Sequence, residues 1–265
     1  MEENIKKITI VEGNQASFCP MRGGIITSIK LKGKEILYLD EDTFKNSEVN
    51  VRGGIPILFP NAGPLENSTE FPNLKQHGFA RNSDKWQSEL NNNYFKEVLI
   101  SDDDTLKLYP YNFQLSIEGI LEKNGSFTLI QKVLNKEINK DIPVSMGLHP
   151  YFKVSNDHKK NIKFNFEGGE YIEDNIDMWS NGKFISIDNP SVLNSTSIME
   201  ISIPSLGMLE IKASPEYKKI WIWSLPDKDF ICIEPVMRDN GGLVDNPEMI
   251  KPNEILSAQI NINLK

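Results

Sequence analysis

Apolar positions along this chain recur mostly with a period of two. The alternation is clearest in Phe113–Leu121 (FQLSIEGIL) and Ser126–Asn135 (SFTLIQKVLN). Successive side chains of an extended backbone point to opposite faces, so this pattern predicts strands with one buried face. Between the two runs lies Glu122-Lys123-Asn124-Gly125, and Asn-Gly supplies the positive φ of a tight hairpin. Shorter runs predict further strands at Ile5–Val11, Ile25–Leu31, Glu35–Leu39, Phe95–Ser101, Ile162–Phe166, Ser197–Ile203, Met208–Ala213, Ile220–Ser224, Phe230–Glu234 and Leu256–Leu264. Lys32-Gly33-Lys34 reads as a second hairpin turn. No window carries an amphipathic helix with caps; Leu106–Tyr111 and Pro215–Lys218 predict at most one helical turn each. Asp102-Asp103-Asp104 reads as a turn tip, since a calcium loop needs more widely spaced oxygens. Turn signals recur roughly every ten residues, which favours an all-β sandwich or barrel over βαβ units. With no internal repeat and no Pro/Gly/Ser linker, one domain is expected across residues 1–265.

Three segments break the alternation: Val51–Arg81, Pro143–Phe152 and Glu234–Pro252. Long irregular stretches in a compact domain are functional or disordered. Aromatics recur in the first two and low-complexity runs are few, which favours order and function.

Composition narrows the function classes. At 39% hydrophobic and 25% charged residues the chain is an ordinary soluble protein. A net charge of −8 disfavours nucleic acid and anionic membrane as general partners. No apolar stretch approaches the ~20 residues of a membrane span. The start, Met1–Lys7, has no secretory pattern, so a cytoplasmic location is expected. Cys19 and Cys232 lack zinc-ligand spacing and are expected to be free, buried thiols. Gly53-Gly54 lacks the GxGxxG spacing and no phosphate loop is present, so neither a cofactor nor a metal is expected.

Candidate chemistry sits in the irregular segments. Two of only three histidines fall in Gln76-His77-Gly78-Phe79-Ala80-Arg81 and Gly147-Leu148-His149-Pro150-Tyr151-Phe152. Histidine exchanges protons near neutral pH, though each could equally be a hydrogen-bonded partner in a packed turn. His158, in a polar run, is expected in a solvated loop. Small residues at 78 and 80 would let His77 and Arg81 face one cavity, with Gln76 adding a donor and an acceptor. Arg52, before the paired glycines, could present its fork to an oxyanion or hydroxyls, or bridge loop carbonyls. Glu234 closes the apolar run Phe230-Ile231-Cys232-Ile233-Glu234. A carboxyl there would be desolvated and its pKa raised toward the range of a general base, unless it pairs with Arg238. Cys232 would share its face.

Taken in order, Arg52-Gly-Gly-Ile-Pro-Ile-Leu-Phe-Pro60, Gln76–Arg81, Gly147–Phe152 and Cys232-Ile-Glu-Pro235 resemble the aldose 1-epimerase (galactose mutarotase) family, and most closely its glucose-6-phosphate 1-epimerase branch. The resemblance spans nearly the whole chain. It implies a galactose-mutarotase-like β-supersandwich and interconversion of sugar anomers without a cofactor. Glu234 would be the general base and His149 the general acid. Arg52, Gln76, His77 and Arg81 would bind a sugar or sugar phosphate. An aspartate after the second histidine would contact hydroxyls, with Asp174 the best match and Asp177 its rival. A non-catalytic sugar-binding protein on the same fold is the alternative, and a lyase or hydrolase a third reading. A monomer or weak homodimer is expected.

Overall fold

The computed structural model describes residues 4–11, 13–66 and 68–265; Met1–Glu3 of the N-terminal stretch lie outside them. Three antiparallel sheets and one two-stranded ribbon make up its β structure. The eight-stranded sheet runs in the order Lys163–Phe164, Met199–Ile203, Gly207–Ala213, Ile255–Leu264, Phe127–Asn135, Phe113–Leu121, Tyr94–Ile100, Gln87–Leu90. A four-stranded sheet is built from Lys6–Val11, Asn14–Cys19, Ile25–Leu31 and Lys34–Glu35. A six-stranded sheet takes Ile185–Asp188, Lys219–Trp223, Phe230–Val236, Gly147–Leu148 and Ile57–Leu58, with Tyr151–Lys153 also paired to Phe230–Val236. Ile142–Val144 and Glu248–Ile250 form the ribbon.

The strongest alternation gives the most regular structure. Phe113–Leu121 and Phe127–Asn135 pair along their full length, from Phe113 opposite Asn135 to Leu121 opposite Phe127. Gly125, at φ +89°, turns the connection, and its N–H donates to the Glu122 carbonyl at 3.0 Å. Ile255–Leu264 adds to the other side and buries Ala258, Ile260, Ile262 and Leu264 at every second position. These inward positions share one core with Phe18 and Ile29 of the four-stranded sheet and Ile220, Ile222, Ile231 and Ile233 of the six-stranded sheet.

The strand Phe230–Val236 is buried at every position. Ile231 and Ile233 enter the main core. Phe230 and Cys232 pack on the opposite side with Tyr151, and Val236 packs with Leu58 and Trp221. A strand covered on both faces reads as a continuous apolar run, which explains FICIE without alternation. The strand does not stop at Glu234, as the sequence suggests. It continues through Pro235 and Val236, which pair with Ile220 and Lys219.

Other expectations change in detail. Asn14–Cys19 is a strand the apolar count misses, because Asn14, Gln15 and Ser17 dilute a pattern in which Ala16 and Phe18 are buried. Asp102 is a helix cap rather than a turn tip. Its carboxylate accepts from the N–H groups of Asp104 and Thr105, and Thr105 returns a bond to the Asp102 N–H, opening helix Asp103–Leu108. Pro215–Lys218 forms a turn, not helix. His158 is exposed in the 3-10 helix Asn156–Asn161.

Candidate active site

Each of the irregular segments runs along one cavity. Arg52 enters on a loop held by its neighbours' backbone. The Gly54 N–H donates to Tyr38 O at 2.7 Å, and Ile55 N–H to Ile26 O at 2.8 Å. A side-chain carbon at Gly54, φ +65°, would stand 2.3 Å from the Ile26 carbonyl oxygen. The paired glycines therefore serve close approach to the protein's own strands, not to a ligand. His77 sits at φ +70°, a left-handed conformation that a non-glycine residue adopts at a cost of order 1 kcal/mol. Gly78 follows at φ +67°, with room for a side-chain carbon excluded by the Phe59 carbonyl 1.9 Å away. This forced turn projects the His77 ring into the cavity.

The cavity has a volume of about 810 Å³. Arg52, Gln76, His77, Arg81, His149 and Glu234 all line it, with Tyr151, Phe184, Trp221, Trp223 and Asn240. Arg52 and Gln76 are exposed at its mouth. Arg81, His149 and Glu234 form its floor, at 7%, 5% and 3% exposure. Asp174 is not brought to this cavity. It is exposed at the end of helix Gly169–Asp174, and its rival Asp177 lines a different hollow beside Lys159 and Asp227. The carboxylate that approaches the aromatic wall is instead Asp239, which accepts from Trp221 Nε1 at 2.8 Å and Ser186 Oγ at 2.6 Å. Sequence reasoning passed over Asp239, Trp221 and Trp223. The alternation of KIWIW was the available signal, since Trp221 and Trp223 point to the face opposite Ile220 and Ile222.

His149 Nδ1 stands 3.5 Å from Glu234 Oε1 and is buried with no hydrogen-bond partner. The ring stacks on Tyr151 with centroids 4.6 Å apart and meets the edge of His77 at 5.3 Å. Arg238 does not pair with Glu234; it holds Glu248 at 2.6 Å. The Arg81 guanidinium donates to Val51 O at 3.0 Å.

Electrostatics follow from burial. Loss of water raises the Glu234 carboxyl well above the ordinary carboxylate range, with Arg81 pulling the other way. Loss of water, then the nearness of His77 and Arg81, pushes His149 well below the usual imidazole range. His77 is pushed down to about 3, chiefly by burial and then by Arg81. It is therefore neutral at pH 7. Its Nδ1 lies 2.6 Å from the Ala62 carbonyl, which can only accept, so Nδ1 carries the hydrogen and Nε2 is left as an acceptor. The floor thus pairs a buried acid with a buried base beside a fixed cation, all open to one cavity. That is an arrangement for moving protons on a bound neutral molecule.

Residues 6–216 match the family model for aldose 1-epimerase. The chain belongs to the aldose 1-epimerase family. Among relatives of this family, it is 33% identical to the plasmid-borne LacX protein of Lactococcus lactis subsp. lactis over 141 residues, covering 49% of this chain and 45% of LacX. It is 30% identical over 144 residues to a Cenchrus ciliaris protein provisionally named glucose-6-phosphate 1-epimerase, covering 50% of this chain and 42% of that protein. The matches thus span about half the length of these relatives. Its fold superposes on the solved Slr1438 protein of Synechocystis sp. PCC 6803 with a TM-score of 0.84, at 26% identity, covering 98% of this chain and 95% of that one. A galactose mutarotase related enzyme from Lactobacillus acidophilus, at 18% identity and TM-score 0.78, shares the fold over 98% of this chain and 97% of that one. The architecture is therefore the galactose-mutarotase-like fold. Glu234 lies beyond the residues the family model matches, and it reaches the cavity through the pairing of Phe230–Val236 with Tyr151–Lys153 and Lys219–Trp223.

Proposed function

We propose that this chain is an aldose 1-epimerase acting on an aldose or an aldose 6-phosphate within the cytoplasm. The observation that carries the reading is the buried His149–Glu234 pair, 3.5 Å apart on the floor of the cavity. Together the two groups hold one mobile proton. In the low dielectric of the floor this proton rests on the Glu234 carboxyl, leaving both groups uncharged. Arg81 favours the carboxylate but disfavours the imidazolium; transfer of that proton to His149 gives the reactive form.

In that form Glu234 takes the proton of the anomeric hydroxyl while His149 gives its proton to the ring oxygen. The C1–O5 bond breaks and a C1 aldehyde forms. Rotation about C1–C2 presents the other carbonyl face, and the reverse transfers close the opposite anomer. The proton count of the pair is restored, so no cofactor enters the cycle. Mutarotation proceeds slowly in water, and a placed acid and base are each worth roughly 10²–10⁴-fold. His77 Nε2 is suited to accept from a sugar hydroxyl. The guanidinium of Arg52 at the mouth is suited to hydroxyls or a phosphate.

The test is anomer interconversion followed by exchange NMR or polarimetry with glucose, galactose and their 6-phosphates. Acceleration with at least one is expected. Uncatalysed rates with all of them, alongside sugar binding by calorimetry that survives Glu234→Gln, would replace this reading with that of a sugar-binding protein.

A further inference from the structure

Cys232 plays no part in the epimerase reading, yet it lies against both groups that do. It sits two residues before Glu234 on the same face of the same strand, opposite Tyr151 and Trp223 in the register. One ligand atom from each of His149, Cys232 and Glu234 lies within 4.8 Å of the other two, and all three residues are buried. His149 Nδ1 is buried without a hydrogen-bond partner.

We propose that His149, Cys232 and Glu234 form a binding site for a thiophilic divalent cation of the zinc type, whose occupation excludes the sugar reaction. Zinc bonds of about 2.0–2.3 Å place tetrahedral ligands roughly 3.3–3.8 Å apart. The Nδ1–Oε1 separation of 3.5 Å already falls in that interval, and every separation in the triangle is within 4.8 Å. The ligand set is one imidazole, one thiolate and one carboxylate, a combination suited to zinc. Its charge also balances, since thiolate and carboxylate together neutralise a dication. Such a neutral cluster can occupy a buried floor where a lone carboxylate is expensive. His149 and Glu234 line the cavity, from which a fourth ligand would come.

Binding displaces the thiol proton and the carboxyl proton to solvent. Because protons leave on binding, affinity climbs with pH. The charged and titratable groups around the triangle include Arg81, His77, Tyr151 and, toward Cys232, Lys159. Of these His77 is neutral, and the guanidinium of Arg81 opposes a cation, favouring zinc over harder ions that gain nothing from the thiolate. With metal bound, the lone pair of His149 and the carboxylate of Glu234 are both engaged, so neither can move a proton.

The experiment uses Co²⁺ and Zn²⁺ as probes on the full chain. The expected result is one equivalent of Co²⁺ giving a thiolate-to-cobalt charge-transfer band in the near ultraviolet, displaced by Zn²⁺ and strengthened from pH 6 to pH 8. Cys232→Ala should abolish the band and weaken Zn²⁺ binding at least tenfold, as should Glu234→Gln. Cys19→Ala should retain both. Circular dichroism and a thermal melt of the Cys232 variant, with Cys232→Ser as the smaller change, separate loss of a ligand from loss of fold. No band, or equal Zn²⁺ affinity in folded Cys232→Ala, overturns the proposal. The metal readout stands apart from the epimerase reading: a cobalt band without mutarotation defeats only the latter. Mutarotation that is insensitive to saturating Zn²⁺ defeats only the claim of exclusion.

Discussion

Two glutamates are buried among the described residues, and they sit in different regions to different effect. Glu97 lies on the inward face of Tyr94–Ile100, between Phe95 and Leu99, in the eight-stranded sheet. It is 0% exposed and neither oxygen has a hydrogen-bond partner. Glu234 is 3% exposed in the six-stranded sheet. Burial raises the carboxyl of both well above the ordinary range. The surroundings differ. Glu234 has an imidazole 3.5 Å away, a guanidinium that favours its carboxylate and a cavity of about 810 Å³ in front of it. Glu97 has only the distant pull of Lys6. A raised pKa marks desolvation, and it becomes chemistry only where a partner base, a cation and space for a substrate meet.

The largest expected effect is on turnover. Glu234→Gln and His149→Asn should each lower kcat by about 10²–10⁴-fold, while Glu97→Gln leaves it unchanged. Because the pair works as one unit, the double variant should be little worse than either single one. Exchange NMR of the anomers checks all four proteins, and a comparable loss in Glu97→Gln would erase the distinction.

Next is Arg81→Gln. Arg81 lowers both Glu234 and His149, so both limbs of the kcat/KM profile against pH should move to higher pH in the variant. The wild-type profile should be bell-shaped, with an acid and an alkaline limb. Its acid limb should lie below the usual imidazole range and its alkaline limb above the usual carboxylate range, reported as properties of the pair. Limbs that stay in place would remove Arg81 from the comparison.

A smaller effect is expected at His77. His77→Phe removes the acceptor Nε2 and should raise KM about fivefold with a lesser change in kcat, since one hydrogen bond to a neutral partner contributes about 1 kcal/mol. Equal loss in kcat and kcat/KM would instead make it part of the proton-moving set.

The subtlest prediction concerns stability. A carboxyl raised on folding contributes stability that is complete below about pH 4.5 and is lost as pH rises through the folded value. Between about pH 4.5 and that folded value the wild-type protein should lose up to ~1.4 kcal/mol per pH unit through Glu97. Urea unfolding from pH 5 to pH 9 should show a shallower decline for Glu97→Gln, with activity intact. Parallel curves would mean that Glu97 already has a partner in solution.

Much of this contrast was legible in the chain, and the reasons it was partial are physical. Strict alternation in Phe113–Leu121 and the Asn-Gly turn led directly to the longest hairpin, because period and turn chemistry are local properties. His77, Arg81, His149 and Glu234 stood out as polar residues embedded in apolar or glycine-rich runs. Glu97 did not stand out, since in FKEVLIS it reads as one of the polar positions and only the register exposes it to the core. Asp174 follows the second histidine in the chain as the family resemblance implies, but helix Gly169–Asp174 carries it away from the cavity. Asp239 and the two tryptophans at 221 and 223 needed the pairing of Lys219–Trp223 with Phe230–Val236 to be seen.

By itself, then, the amino-acid sequence determined a β-rich chain with its turn positions and an inventory of groups able to move protons. Hydrophobic periodicity and turn propensity act between near neighbours, and that much survives without a fold. Which groups meet was decided only in three dimensions. His149 and Glu234 are 85 residues apart in number, and strand register alone brings them to 3.5 Å. The same register buries them, and burial rather than residue type sets their protonation and places Cys232 within reach of both.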